Sequence, residues 1–380
     1  MKIDANSVTF EPQDMAFVKK FGILEATEMA LDYHAEHPNL PFLYDAEQLA
    51  GFLGISRGEL NDIVNHIQKE YKEAHLPKKD GTYRSLCVPS IRLRFCQDPI
   101  KEKILPQLPV SKFATAYQKG STTRGNAEPH IGKKFLLKLD ITDFFGSITF
   151  EQVQRTAFNT RYVSRQVGDL LTSLCCKDDS LPQGAATSPA LSNIVMYRFD
   201  DYIGRWCSQR QIAYTRYCDD MTFSANRPLY GVYQKVKTML REMGFELNES
   251  KTHFIGNDNR QSVTGLVVNE KLSIPSGYKR DLRQEVYYAL KFGVEDSVLH
   301  GHRSDFVEDG RPICCPTYML HLMGKVQYVL QIEPENLWFK DAQKKLLAYI
   351  YEHYSESLSY YLHFNKNGKG KGMYEQSNPV

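Results

Sequence analysis

The chain has 380 residues, 42% of them hydrophobic and 24% charged, with a formal net charge of +2. That balance excludes a disordered chain, and the length predicts two or three structural units around a sizeable core. No apolar run approaches the roughly 18 residues of a membrane span, and the opening MKIDANSVTF lacks the apolar stretch of a secretory leader. Eight cysteines occur without a C-x-x-C pair, and four of them form the doublets Cys175–Cys176 and Cys314–Cys315. Neither a zinc site nor a disulfide framework fits, so the expectation is a reduced, cytoplasmic protein.

Charge is divided unevenly. Residues 1–75 hold 6 Lys/Arg against 13 Asp/Glu, and residues 76–138 hold 13 against 4. A polyanion held against the basic stretch and a solvated basic face are both open readings of that asymmetry. The first 75 residues read as helical, with Leu49, Phe52, Leu53, Leu60, Ile63, Val64 and Ile67 at three-and-four spacing. Ser56 and Glu59 form a capping box for the second of two short helices. The pair resembles a DNA-reading helix-turn-helix, but its acidity opposes phosphate and favours a structural role. Pro77 and Lys79-Asp80-Gly81 mark a boundary, followed by a basic, irregular stretch. Phe135, Leu137, Leu139 and Ile141 alternate as one face of a strand, with Lys138 and Asp140 on the other. Helices are expected over 150–176, 188–209 and 229–244, the last capped at Gly244. Two short strands flank Cys218-Asp219-Asp220, the C-terminal third is helix-rich, and residues 365–372 form a Lys/Gly-rich tail. The mixture is α+β.

Asp140 and Asp143 at the end of a strand, with Asp219-Asp220 in a tight turn, carry the chemistry. Adjacent acids raise each other's pKa unless a cation intervenes. All-oxygen ligands with open positions suit Mg²⁺. If the two strands lie side by side, Asp140 and Asp219 converge, and two ions could clamp the oxygens of an in-line phosphoryl displacement. A lone Asp-Asp pair would more simply be a solvated turn, so the surrounding motifs decide.

Those motifs resemble a reverse transcriptase in ordered blocks, the resemblance beginning at Tyr83. Leu139-Asp140-Ile141-Thr142-Asp143-Phe144-Phe145 is similar to the first palm motif. Leu181-Pro182-Gln183-Gly184 with Ser188-Pro189 is similar to the fingers-to-palm motif. Tyr217-Cys218-Asp219-Asp220 resembles the Tyr-x-Asp-Asp turn, and Gly244-Phe245-Glu246-Leu247-Asn248 with Lys251 the block after it. Asn126-Ala127-Glu128-Pro129-His130 and Val263-Thr264-Gly265 resemble elements that mark bacterial retron reverse transcriptases. The resemblance covers about residues 40–350 and implies a right-hand polymerase. Its expected parts are a helical N-terminal extension (1–75), fingers and palm (76–268), an RNA-binding thumb (269–350), and a C-terminal helix and tail (351–380).

The resemblance also implies roles. Asp140 and Asp219 would ligate two Mg²⁺ ions with Asp220 in support, and Lys251 would protonate departing pyrophosphate. Asp143 and Gln183 would lie against the incoming deoxynucleotide, and Phe145 would exclude a ribose 2′-hydroxyl. Lys119 or Arg124 would hold the triphosphate. Arg84, Arg92, Arg94, Ser188 and Pro189 would meet the template. Asn126, His130, Val263, Thr264 and Gly265 would contact RNA, although packing is an equal reading of His130. Tyr278, Lys279, Arg280, Arg283, Tyr287, Tyr288 and Lys291 would form a thumb face for unpaired bases and phosphates, or an ordinary half-buried helix. The implied activity is copying a cognate non-coding RNA (msr-msd) from an internal guanosine 2′-hydroxyl into branched RNA–DNA. An effector in phage defence and a host ribonuclease H are the implied partners. Another bacterial reverse transcriptase using a 3′-hydroxyl primer, or a non-catalytic nucleic-acid-binding regulator, are the alternatives.

Overall fold

A computed structural model describes residues 2–4, 7–77, 81–159, 162–300, 306–308, 311–312 and 315–366. The Lys79-Asp80 turn, Cys314 and the tail beyond Lys366 lie outside the described residues. The chain divides into two compact units, one of residues 1–122 and 135–254, the other of 123–134 and 255–380. The second is therefore built from two distant stretches of sequence.

The first unit opens with a short hairpin, β1 (Lys2–Asp4) and β2 (Ser7–Thr9), and helices α1 (Met15–Phe21) and α2 (Ile23–Glu36). The expected helix pair follows as α3 (Ala46–Leu53) and α4 (Arg57–Asn65). Asp45 caps α3 by accepting from the Gln48 N–H, and the Ser56/Glu59 capping box opens α4. Leu49, Leu53, Leu60 and Ile63 are buried, as their spacing requires. On the exposed side, Arg92 pairs with Asp62 at 2.6 Å and donates to the Glu59 carbonyl at 3.2 Å. The acidic helix thus docks on a cation of the basic stretch.

The first part of that stretch is regular. β3 (Tyr71–Pro77) pairs antiparallel with β4 (Tyr83–Pro89), Pro77 opposite Tyr83, so the boundary expected near residue 76 falls inside a hairpin. Most hairpin residues are exposed, so its sequence lacks the alternation that betrays a half-buried strand. Helix α5 (Ile91–Pro99) follows, capped by Ser90.

Past α6 (Thr123–Ala127), the central sheet has the order β6–β7–β5–β8, from β5 (Phe135–Asp140), β6 (Ala213–Tyr217), β7 (Asp220–Ala225) and β8 (His253–Gly256). β5 is interior and buried at Leu136, Leu137 and Leu139, while Phe135 at its start is partly exposed. An interior strand has little reason to keep one polar face. The helix expected over 150–176 is two helices, α7 (Phe150–Ala157) and α8 (Arg165–Cys175), each with its own cap, Thr149 and Ser164. α9 (Ser188–Ser208) packs along β6, and α10 (Tyr230–Glu242) ends before Gly244 in the left-handed region.

The second unit holds the hairpin of β9 (Ser262–Val263) and β10 (Leu266–Val267) and the helices α11 (Ser276–Phe292) and α12 (Val294–His300). After the pair β11 (Val307–Glu308) and β12 (Arg311–Pro312) come α13 (Cys315–Ile332) and α14 (Leu337–Lys366). Leu282, Val286, Met319, Leu322, Val326, Phe339 and Leu346 make its core. Among the described residues no helix is long and apolar enough to cross a membrane.

Candidate active site

The strand register creates the site. Asp140, last residue of β5, pairs directly with Asp220, first residue of β7, and Tyr217 closes the β6–β7 hairpin on the other side of Asp220. Cys218 and Asp219 are left as the two-residue turn, and the Ile141 N–H donates to the Asp219 carbonyl at 3.2 Å. The sheet therefore brings acids 79 or more positions apart in sequence to one edge.

Asp140 is 7% exposed. Burial pushes its carboxyl above the usual range, the nearby Asp219 adds to this, and the Lys251 ammonium opposes it. Asp220 is pushed up to about 6, by burial first and then by Asp219 and Asp140, against the pull of Lys138. Lys251 reaches both Asp140 oxygens, at 2.9 and 3.1 Å, and this bond raises its own pKa. A cation on Asp140 is thus already part of the site. The donors are oxygens of incompletely compensated carboxylates, which fits a divalent ion. Among the described residues no three His, Cys, Asp or Glu side chains cluster closely enough to hold a metal unaided. Mg²⁺ characteristically uses one or two carboxylates and takes its remaining ligands from water and substrate phosphates.

Around these acids, Asp143 sits at φ +42° in the turn after β5. Its carboxylate folds back so that a Cβ on Gly146 would lie 2.2 Å from Oδ2, and a larger residue there would push the Asp143 side chain aside. Phe144 is buried against Phe245, and Phe145 is half-buried beside it. The Gln183 carbonyl accepts from the Cys87 N–H at 2.7 Å, tying this block to β4. Lys119, Arg84 and Arg94 are exposed cations of this unit, and Arg124 belongs to the other unit, donating to the Gln331 carbonyl at 3.2 Å.

Several residues expected to meet nucleic acid are used inside the protein. Ser188 is 1% exposed and donates to the Pro182 carbonyl at 2.8 Å, shaping the turn into α9, and Pro189 follows in the first turn of that helix. Arg92 is held by Asp62 and the α4 carbonyl. Lys279 is enclosed in an ion pair with Glu333 at 2.6 Å. Arg283 is exposed and lies over the Trp338 and Phe339 rings, while Arg280 is exposed next to Asp281.

The two short elements flanking the palm blocks interlock within the second unit. Thr264 (φ +44°) and Gly265 (φ +79°) form the left-handed two-residue turn between β9 and β10, which explains the glycine. The Thr264 hydroxyl donates to the Thr123 carbonyl at 3.1 Å and accepts from the Asn126 side-chain amide at 3.3 Å. Val263 and His130 are fully buried. Burial, assisted by Lys133, pushes the His130 pKa down to about 3. Unfolding releases the ring to its ordinary value near 6.5, so the unfolded chain binds the extra proton between those limits. Stability is then lost as pH falls below about 6.5. At pH 5 this costs about 2 kcal/mol, and His130→Gln flattens the decline of melting temperature between pH 7 and pH 5.

What sequence reading missed is the support of the Cys218–Asp219 turn. Arg216, on β6, is fully buried and donates to both Asp200 oxygens, to the Asn193 side-chain Oδ1 at 3.1 Å and to the Cys218 backbone carbonyl at 2.9 Å. Tyr214 donates to Asp200 at 2.7 Å. An arginine amid the apolar residues of a strand, and an aspartate on the buried face of α9, were the available signals.

The reverse transcriptase (RNA-dependent DNA polymerase) family profile matches residues 76–268. Retron Ec86 reverse transcriptase of Escherichia coli is 28% identical over 270 residues, covering 70% of this chain and 84% of its own. Retron Mx65 reverse transcriptase of Myxococcus xanthus is 31% identical and covers 78% and 70%. Retron Ec83 reverse transcriptase of Escherichia coli is 34% identical and covers 57% and 75%. With Asp140, Asp219 and Asp220 placed on one sheet edge inside the matched region, these likenesses make the chain an RNA-directed DNA polymerase of the reverse transcriptase family, of the bacterial retron type.

Proposed function

We propose that this polymerase copies a cognate structured non-coding RNA (msr-msd), starting from an internal guanosine 2′-hydroxyl and yielding branched RNA–DNA. The observation that carries the chemistry is Asp140 opposite Asp220 with Asp219 on the adjoining turn. Two Mg²⁺ ions, when bound there, neutralise and orient the attacking and leaving oxygens. Asp140 and Asp219 are their ligands, and Asp220 adds negative charge behind them. Lys251 stays protonated at neutral pH because of its pairing with Asp140, the form needed to give a proton to pyrophosphate. Residues 76–268 act as fingers and palm, 269–350 as the thumb, 1–75 as the N-terminal extension and 351–380 as an accessory tail. Exposed Arg84, Arg94 and Lys119, and Arg280 beside Asp281, are cations that would meet phosphate. The protein works in the cytoplasm with a host ribonuclease H and an effector in phage defence.

Phe145 is the gate against ribonucleotides. Phe145→Ala lowers discrimination against a ribonucleoside triphosphate on the order of 100-fold, the scale of a hydroxyl-excluding pocket. Single-nucleotide incorporation with dGTP and GTP measures it. The priming reaction is tested on nucleic acid that copurifies when the protein is expressed with its native upstream DNA. A short DNA whose gel mobility shifts with debranching enzyme supports 2′-priming. Linear DNA means a 3′-hydroxyl primer, and RNA without DNA means a binding protein.

A further inference from the structure

The Cys218 backbone stands at φ +62°, a conformation that residues with a Cβ rarely adopt. Such a turn persists only where its surroundings over-determine it, and here it is held from two directions. From within, Arg216 Nη1 donates to the Cys218 carbonyl at 2.9 Å, while the rest of the guanidinium is fixed by Asp200 and Asn193. From without, the Tyr117 hydroxyl donates to Cys218 Sγ at 3.0 Å. Tyr117 is itself left-handed, at φ +59°.

The two holds belong to one frame. The Arg216 N–H donates to the Phe113 carbonyl at 2.8 Å, and the Thr115 N–H donates to the Arg216 carbonyl at 2.7 Å. Asn193 donates to the Ala116 carbonyl at 2.8 Å. The segment leading to Tyr117 is therefore laced to β6 and α9, the elements that carry Arg216 and its partners. Cys218 Sγ and its carbonyl are gripped by groups whose spacing is set by the same backbone.

We propose that Tyr117 and Arg216 are positioning residues that lock the Cys218–Asp219 turn, so that the Asp219 carboxylate is preorganised opposite Asp140 for divalent-ion binding. The proposal rests on Asp219 being a metal ligand. Neither residue touches the ion or the reacting atoms. Their effect passes through Cys218.

That route gives a test. Mn²⁺ binding to the full-length protein is measured from the loss of the free-ion electron paramagnetic resonance signal, alongside the Mg²⁺ dependence of primer extension, RNA retention and melting temperature. Tyr117→Phe removes one hydroxyl from a residue that is 47% exposed, so the fold is not at stake. It weakens Mn²⁺ binding about threefold and raises the Mg²⁺ concentration for half-maximal rate to match, with RNA retention and melting temperature unchanged. Arg216→Lys keeps a cation on Asp200 but loses the fork to Cys218, and weakens Mn²⁺ binding about tenfold. In a Cys218→Ala background, Tyr117→Phe has no further effect, because its acceptor is gone.

An unaltered Mn²⁺ affinity in Tyr117→Phe overturns the proposal, as does an equal effect of Tyr117→Phe with and without Cys218. Asp219→Asn separates this failure from failure of the metal reading. If it leaves Mn²⁺ binding and synthesis intact, Asp219 is not a ligand. If it abolishes them while Tyr117→Phe changes nothing, the metal reading stands and the lock falls.

Discussion

Replacing Asp219 and Asp220 together by Asn abolishes DNA synthesis while the RNA stays bound. The expected loss is at least about 1000-fold in the extension rate, roughly 4 kcal/mol of transition-state stabilisation. Asn keeps the size of each side chain but replaces one acceptor oxygen by an NH2 donor, so the β6–β7 hairpin, held by backbone pairing, survives while the charge is lost. The same change alters stability in the opposite sense. The Asp220 carboxyl is pushed up to about 6 in the folded protein, by burial and by its acidic neighbours, against an ordinary value of 3.8. A raised carboxyl contributes stability below pH 3.8 that is lost as pH rises through 6. At pH 7.5 the ionised group therefore works against folding by about 2 kcal/mol, after discounting for its partial exposure. The double variant melts higher than the parent at pH 7.5 without metal, and the advantage fades towards pH 4. Full synthesis in the double variant, or bound RNA lost with activity, contradicts the assignment.

Asp200→Ala has the largest effect on stability. Arg216 is 0% exposed, and Asp200 is the only carboxylate to which its guanidinium bonds among the described residues. Removing it strands a buried cation, which costs about 3–5 kcal/mol. Tyr214 loses its acceptor as well. Chemical denaturation of the purified protein measures the loss. Asp200→Asn retains two acceptor lone pairs and costs clearly less. The ion pair itself is weak evidence of stabilisation, since a buried pair can be matched by apolar packing. Its interest lies in what the guanidinium's remaining donor reaches, the carbonyl of the turn that carries Asp219.

Much of the site was legible because its signals are local. A turn of Tyr-x-Asp-Asp between two apolar strands, Ser56 three residues before Glu59, and Gly244 after a helical run each encode their own geometry within a few residues. The two short elements flanking the palm blocks were legible as family marks, but their use was not. Asn126 and Thr264 are 138 positions apart and meet only through a hydrogen bond in the folded second unit, so strings that looked like RNA contacts are pieces of a hairpin and its brace. Ser188 and Lys279 have intramolecular partners that the sequence does not announce, for the same reason. A hydroxyl or an ammonium in sequence carries no mark of whether a carbonyl six residues back or a carboxylate 54 residues on already occupies it.

The sequence by itself determined the chemistry of this protein: which acids stand in which order, which turn carries them, and hence the polymerase family. Only the tertiary structure decided which polar groups are spoken for. The register of β5 against β7 sets Asp140 opposite Asp220, Lys251 folds onto Asp140, and Arg216 is buried with Asp200 behind the turn. Charge and hydrogen-bonding capacity are properties of a residue, but their satisfaction is a property of neighbours, and those neighbours are assembled by strand pairing and helix packing across more than a hundred residues.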